Sequence, residues 1–297
     1  VSVVVVGSAH LDHVVRVERR PEPGETVFGA SFDTSPGGKG LNQAVAVARA
    51  GAAVGFIGVV GDDPPGAELR EVLQTRAVNV SRLVTAAGAT GTAHITVTSD
   101  GENSIVVVPG VNAAIDHLDE ADRQAISSAR VLMLQLERPI GLVAECLAWA
   151  RRVGVMTVLT PAPVRALDEE LLAHVDVLVL NAIEARALTG LTDAVEATRK
   201  LAQLVGTVIV TLGAEGARVV DSSREQHVQA PRVEAIDTTG AGDAFTGWLA
   251  AGLARGDDLI RAVDLAVEAA ALSVTRPGAA ESVPDRNEVA RWMQARR

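Results

Sequence analysis

Seven residues late in the chain, Asp237-Thr238-Thr239-Gly240-Ala241-Gly242-Asp243, have the types and spacing needed to move a phosphoryl group. Small residues let the backbone approach a ligand, and the unpaired N–H groups at a helix N-terminus point at an anion with the helix dipole behind them. The amides of Gly240, Ala241, Gly242 and Asp243 would form such an anion hole. A carboxylate beside it cannot help to bind negative charge, so Asp243 is useful chiefly as a base for an attacking hydroxyl. On these residues alone a plainer reading stays equally open, since Asp is common in a helix's first turn and Gly-Ala-Gly also serves tight packing.

A second glycine-rich stretch lies far upstream, Gly37-Gly38-Lys39-Gly40-Leu41-Asn42-Gln43-Ala44. It is not a P-loop, because Gly rather than Ser or Thr follows the lysine, and no stretch of the chain matches G-x-G-x-x-G. The Lys39 ammonium and the Asn42 amide project from a turn feeding a helix, where such groups can orient a polyol. A tight turn with a surface lysine fits the same residues.

Elements able to position these groups are legible along the chain. Short β-branched runs at Val3–Val6, Val54–Val60, Val131–Gln135, Val155–Thr160, Val175–Leu180 and Thr207–Thr211 are mostly followed by Ala-rich stretches of helical spacing. That alternation predicts βαβ units and a mostly parallel sheet with both faces covered. Helices are predicted over Gly40–Ala50, Pro64–Arg76, Ile140–Val153, Asp193–Leu204, Ala241–Arg255 and Leu259–Thr275. Asp12–Val17, Thr26–Phe32, Thr92–Thr98 and Ser104–Val108 instead alternate apolar and polar residues, as half-exposed antiparallel strands of a small separate sheet do. Gly216–Asp221 and Gln226–Ala230 read as a hairpin at the main sheet's edge.

With 27 Lys and Arg against 37 Asp and Glu, the net charge of -10 and the lack of a basic cluster argue against a nucleic-acid partner. The opening Val-Ser-Val-Val-Val-Val-Gly lacks a basic flank and is too short to span a bilayer, so it predicts a buried strand and no membrane role. The single cysteine, Cys146, lies in an apolar helical pattern and reads as core packing in a cytoplasmic protein. His94, His117, His174 and His227 are dispersed without metal-ligand spacing, and His13 is expected to face away from its neighbour Asp12.

The late motif, D-T-x-G-A-G-D, and the glycine stretch are similar to the two signatures of the ribokinase-like (PfkB) sugar kinases. Further stations run through nearly the whole chain, among them Gly7-Ser8-Ala9-His10-Leu11-Asp12, Gly61-Asp62-Asp63, Gln135-Leu136-Glu137, Pro161-Ala162-Pro163, Asn181 with Glu184, Thr211-Leu212-Gly213 and Thr275-Arg276-Pro277-Gly278 with Ser282-Val283-Pro284. The resemblance implies an α/β three-layer fold in one domain over residues 1–297, with a mostly parallel central sheet, helices on both faces and a small antiparallel β lid within 10–35 and 90–110. It also implies transfer of the ATP γ-phosphoryl group to a primary hydroxyl of a pentose, with ribose the expected sugar and a homodimer through the lid. Carried over by position, His10, Asp12, Gly38, Lys39, Asn42 and Glu137 would hold the sugar and Asp243 would be the base.

The same resemblance sets Asn181, Glu184, Thr211, Gly213, Gly216, Gly242 and Val267 along the nucleotide, with Glu184 organising Mg2+ through water. Val267 read from the residues alone is an apolar position on an Ala-rich helix, hence core packing. A monovalent cation, K+, would be held at Asp237, Thr239, Ser273, Arg276, Gly278 and Ser282, mostly by backbone carbonyls. Two departures stand out: His10 occupies a position where relatives carry Asn, and its imidazole can titrate near neutral pH; Thr160 replaces the Asn of an N-P-A-P stretch near the phosphate side. Rival readings are a kinase for deoxyribose, fructose or a sugar acid, a nucleoside kinase, and a non-catalytic sugar-binding protein. The absence of Tyr and the presence of only 4 Phe argue for a free sugar rather than a stacked nucleoside.

Overall fold

In a computed structural model that describes residues 1–296, thirteen strands and ten α-helices follow the predicted alternation. The strands β1 (Val3–Val6), β2 (His10–Val17) and β3 (Gly29–Gly37) precede α1 (Lys39–Arg49), β4 (Val54–Gly61), α2 (Pro64–Thr75), β5 (Asn79–Ala86), β6 (Gly91–Val97) and β7 (Asn103–Val108). Next come α3 (Glu120–Ser127), β8 (Val131–Gln135), α4 (Ile140–Val153), β9 (Met156–Thr160), α5 (Glu169–Leu172), β10 (Val177–Asn181), α6 (Ala182–Thr189) and α7 (Ala194–Leu201). The chain closes with β11 (Thr207–Thr211), β12 (Ala217–Asp221), β13 (Glu225–Val228), α8 (Ala241–Arg255), α9 (Leu259–Ser273) and α10 (Arg286–Ala295).

The main sheet has the order β13-β12-β11-β10-β9-β8-β1-β4-β5 and is parallel except for the antiparallel β11–β12 and β12–β13 pairs at one edge. Its burial follows the two-residue period of a strand: Val3 and Val5 enter one core and Val4 and Val6 the other. Each such valine contributes about 1.5–3 kcal/mol by leaving water. No helix among the described residues is long and apolar enough to cross a membrane.

Strand order explains where a site can form. The chain leaves β1 towards β4 and β5, then returns to β8 on β1's other side. Crossovers diverge at that point, leaving a crevice at the carboxyl ends of β1 and β8. Helix α1 starts over this crevice because Gly7 and Gly40 let two backbones touch: a Cβ on Gly40 would lie 2.6 Å from Ser8 N and 2.7 Å from Gly7 Cα.

The small sheet, ordered β3-β2-β6-β7, springs from the end of β1. Its outer pairs are antiparallel, while β2 and β6 run parallel because the α1–β5 excursion separates them. The strand expected at Thr26–Phe32 starts later and runs on through Gly37, since β2 supplies ladder partners up to His10 opposite Gly37. Pro36 is tolerated because β3 is an edge strand. Five elements were absent from the sequence expectations: β5, α3, the single turn α5, α6 and α10. Strand β5 is a half-exposed edge with polar residues at Asn79, Ser81 and Arg82, and α3, α6 and α10 are short helices started by capping boxes rather than marked by a long apolar stripe.

Replacing Gly40 with Ala should destabilise the protein by about 1–3 kcal/mol, because backbone atoms of Gly7 and Ser8 cannot yield to the new methyl group. Urea unfolding monitored by circular dichroism measures the change.

Candidate active site

Helix α8 begins at Gly240, whose φ of 72° places it in the left-handed region and lets it pack where a Cβ would meet Ala279 at 2.9 Å. The Ala241 amide turns back to Thr238 O at 3.3 Å, so it is partly engaged and the expected hole narrows. Among the described residues the amides of Gly240, Gly242 and Asp243 have no acceptor. They remain available to an anion.

Asp243 is buried in the first turn of α8, with both oxygens gripped by α1. Asn42 Nδ2 donates to Oδ2 at 3.1 Å and Gln43 Nε2 donates to Oδ1 at 2.9 Å. Burial pushes the Asp243 carboxyl above its ordinary range, against the pull of Lys39, Gln43 and Asn42. A base whose conjugate acid lies closer to the working pH transfers protons more effectively. The Lys39 ammonium is in turn held charged, chiefly by Asp243 across from it.

The expected sugar-side residues converge on the same crevice. Asp12 lies under Gly37, where any Cβ would run into its carboxyl oxygens. Gly38 has φ 95°, and Lys39 opens α1. Glu137 Oε2 accepts the Lys39 N–H at 2.9 Å and also the Ser8 hydroxyl. Three buried atoms here have no partner: His10 Nε2, Asp12 Oδ1 and Asn42 Oδ1. Unpaired buried polar atoms are costly unless a ligand meets them.

Two ionisations in the crevice are displaced. Burial lowers the His10 pKa, outweighing Glu137, so the imidazole is neutral at neutral pH and the expected titration there is moved away. Asp12 is pushed up to about 7, first by burial and then by the charges of Glu137, Glu281 and Asp243.

On the far side of Gly242 a cavity of about 490 Å3 opens, lined by Thr211, Gly213, Gly216, Gly242 and Val267. These are five of the residues expected along the nucleotide. Gly216 is required, because a Cβ would lie 2.1 Å from Val228 O. The remaining two, Asn181 and Glu184, do not line the cavity; they form the capping box of α6, Asn181 Oδ1 accepting the Glu184 N–H at 2.8 Å and Glu184 Oε2 accepting the Asn181 N–H at 2.8 Å. Val267 is both core and wall, with Ala270, Ala271 and Val274 continuing the same helical stripe into the cavity. Periodicity marks the stripe but not what it faces.

The residues expected around a monovalent cation also meet. Asp237 Oδ1 accepts the Thr239 N–H and Oδ2 the Gly278 N–H, both at 2.9 Å. Burial opposes ionisation of Asp237, but these donors outweigh it and hold the carboxyl below its ordinary range. Arg276 NH2 instead bonds Glu288, and the hydroxyls of Ser273 and Ser282 bond Ala270 O and Ala279 O, so the side chains of these three are committed elsewhere.

Residues 1–286 match the sequence profile of the pfkB family carbohydrate kinases. The chain belongs to that family. It is similar to the ribokinase of Haemophilus influenzae, 36% identical over 301 residues that cover 99% of this chain and 98% of that one. The Bacillus subtilis ribokinase is 39% identical over 290 residues, covering 97% and 98%. The solved structure of Arabidopsis thaliana ribokinase complexed with ribose and ATP matches with a TM-score of 0.91 at 31% identity, covering 99% of this chain and 98% of that one.

Within this pfkB kinase Gln43 and Gln135 were not expected at the site, although both stand inside motifs quoted above. The only available signal was a glutamine on an otherwise apolar helix face at Gln43 and one ending an apolar strand at Gln135. Thr160 does not reach towards the expected nucleotide residues; its Oγ1 accepts from Gln43 Nε2 at 3.3 Å.

The Asp12 shift has a definite sign. A carboxyl whose folded pKa is raised from 3.8 to about 7 binds more protons folded than unfolded between those values, so its contribution to stability is full at low pH and lost as pH rises towards 7. Asp12→Asn should therefore raise the thermal midpoint of the unliganded protein at about pH 8, with the gain vanishing below about pH 4. Scanning calorimetry across pH tests this, and a gain independent of pH would contradict it.

Proposed function

We propose that this chain is an ATP-dependent ribokinase that transfers the γ-phosphoryl group of ATP to the primary hydroxyl of ribose. The observation that carries this reading is the buried Asp243 carboxyl, gripped by Asn42 and Gln43 beside unpaired helix amides and between two recesses. The recess towards Asp12 is lined by unpartnered polar atoms suited to a polyol, and the other has a volume suited to a nucleotide. Full-length similarity to ribokinases supports the same conclusion.

In this reading the sugar hydroxyl loses its proton to Asp243 as its oxygen bonds the γ-phosphorus, and the bond to the β-phosphate oxygen breaks to release ADP. His10 Nε2, Asp12, Asn42 Oδ1, Glu137, Lys39 and the Gly38 backbone orient the sugar, while the free amides of Gly240, Gly242 and Asp243 receive charge on the transferring group. Mg2+ would accompany ATP and neutralise phosphate charge. Glu184 fits a water-mediated role there, because its Oε1 is not used by the capping box.

K+ would be held by oxygens of Asp237, Thr239, Ser273, Arg276, Gly278 and Ser282. The fit lies in the carbonyls: among the described residues those of Asp237, Thr239, Arg276, Gly278 and Ser282 accept no hydrogen bond. A cation on them would brace the loop carrying the anion hole. The exposed apolar run Ile105–Val108 on one edge strand of the small sheet, with exposed Phe32 on the other edge strand and Phe28 just before it, supports a homodimer through this lid. The buried free thiol of Cys146 supports a reducing, cytoplasmic setting.

Asp243→Asn should keep ribose and ATP binding, read by calorimetry, while turnover in a coupled ADP-release assay falls about a hundredfold or more. In that assay the parent should prefer ribose over deoxyribose, fructose and adenosine and gain turnover on adding potassium; another acceptor turned over faster would reassign the sugar. Val106→Lys should convert a dimer into a monomer by light scattering, and a monomeric parent at working concentration would remove the lid interface.

A further inference from the structure

The hydrogen bonds behind Asp243 continue away from the substrate recesses. Gln135 Nε2 donates to Gln43 Oε1 at 2.7 Å, and Gln43 Nε2 donates to Asp243 Oδ1 at 2.9 Å. Gln43 and Gln135 are both almost wholly buried, at 0% and 1% exposure. Side-chain amides in such a setting are held only by their partners, because no water competes.

Chemistry sets the order of the chain. A carboxylate accepts only, so Gln43 must present its NH2 to Asp243, and its oxygen then faces Gln135, which must present its own NH2. Gln135 Oε1 is left without a partner against Gly7, where a Cβ would lie 2.6 Å away. A buried amide with an orphaned oxygen is expensive to retain for packing alone.

We propose that Gln43 and Gln135 are positioning residues, a two-amide relay that holds the Asp243 carboxyl in the orientation in which it takes the sugar proton. The proposal rests on Asp243 being the base. Gln135 makes the Gln43 amide unable to turn over, and Gln43 in turn fixes Oδ1 so that the remaining lone pairs of the carboxyl face the crevice. Thr160 Oγ1 takes the second approach of Gln43 Nε2 and closes the far side of the relay.

Few other charges act on this carboxyl. Lys39 and Glu137 act on Asp243, and Asp12 feels it in return. Strands β1 and β8 beneath carry no charged side chain. On α9 Arg261 pairs with Asp264, and Glu268 pairs with Arg296. The Gln43 bond draws the Asp243 pKa down, so losing it raises the carboxyl.

The test uses Gln43→Met and Gln135→Met, which remove each donor at similar size, with Gln135→Leu as a second outer-link variant. Carbon-13 titration of the Asp243 carboxyl in the unliganded protein, assigned by difference from Asp243→Asn, should move up by about one unit for Gln43→Met and in the same direction, by less, for both Gln135 variants. Turnover near neutral pH should fall about tenfold for Gln43→Met, the acid limb of the rate profile shifting to higher pH while KM for ribose and ATP stays within about twofold. Lower thermal stability with an unmoved Asp243 titration would mean that the amides only fill the core, and would overturn the proposal. A shift in Gln43→Met without any in either Gln135 variant would overturn the relay. If Asp243→Asn keeps parental turnover while the titration shifts persist, the base assignment fails and the coupling itself stands.

Discussion

The structure turns on a carboxyl group taken out of water. Asp243 is buried at the start of α8, and charge in such a place survives only if donors replace the lost hydration. Those donors come from α1, residues distant in the chain, so the site exists only where α1 and α8 lie close together. Gly247 permits the approach: a Cβ there would lie 2.4 Å from Ala46 Cβ and 2.7 Å from Gln43 O. With a larger residue the helices would stand apart and the short amide side chains would no longer span the gap.

Around that contact the charges balance. The Lys39 ammonium faces Asp243 and Glu137, and its attraction partly offsets the burial that would otherwise keep Asp243 protonated. Asp12 has no such cation of its own and is driven up to about 7. Burial thus raises both carboxyls of the crevice, and only Asp243 is held by amides and an ammonium, as the base role proposed for it requires. Burial favours the neutral His10 ring beside them, so it offers a ligand hydrogen bonds rather than charge.

The main sheet supplies the frame for this chemistry. Gly7, Gln135, Thr160, Asn181 and Thr211 all lie at or just past the carboxyl ends of parallel strands, and the crevice between β1 and β8 is where the crossovers part. The small sheet rises from the end of β1, which sets Asp12 and His10 over that crevice, with the exposed strand β7 at the outer edge. Residues of both sheets thus meet at one turn.

Much of this was legible along the chain, because strand runs, helix caps and glycine turns are local statements that carry their own physical reasons. The runs at Val3–Val6, Val131–Gln135 and Thr207–Thr211 coincide with β1, β8 and β11, and the helix predicted over Ala241–Arg255 is α8. A carboxyl in the first turn of α8 beside unpaired helix amides was readable for the same reason, since helix polarity follows from backbone alone. What the chain could not reveal was contact: that Val267, Ala270 and Ala271 turn one stripe to a cavity, that Ala241 spends its amide on Thr238, and that Gln135 reaches Gln43. Periodicity reports which face of an element is apolar and motifs report which groups are present, whereas partners far apart in sequence are chosen only when helices and strands pack to within a hydrogen bond's reach.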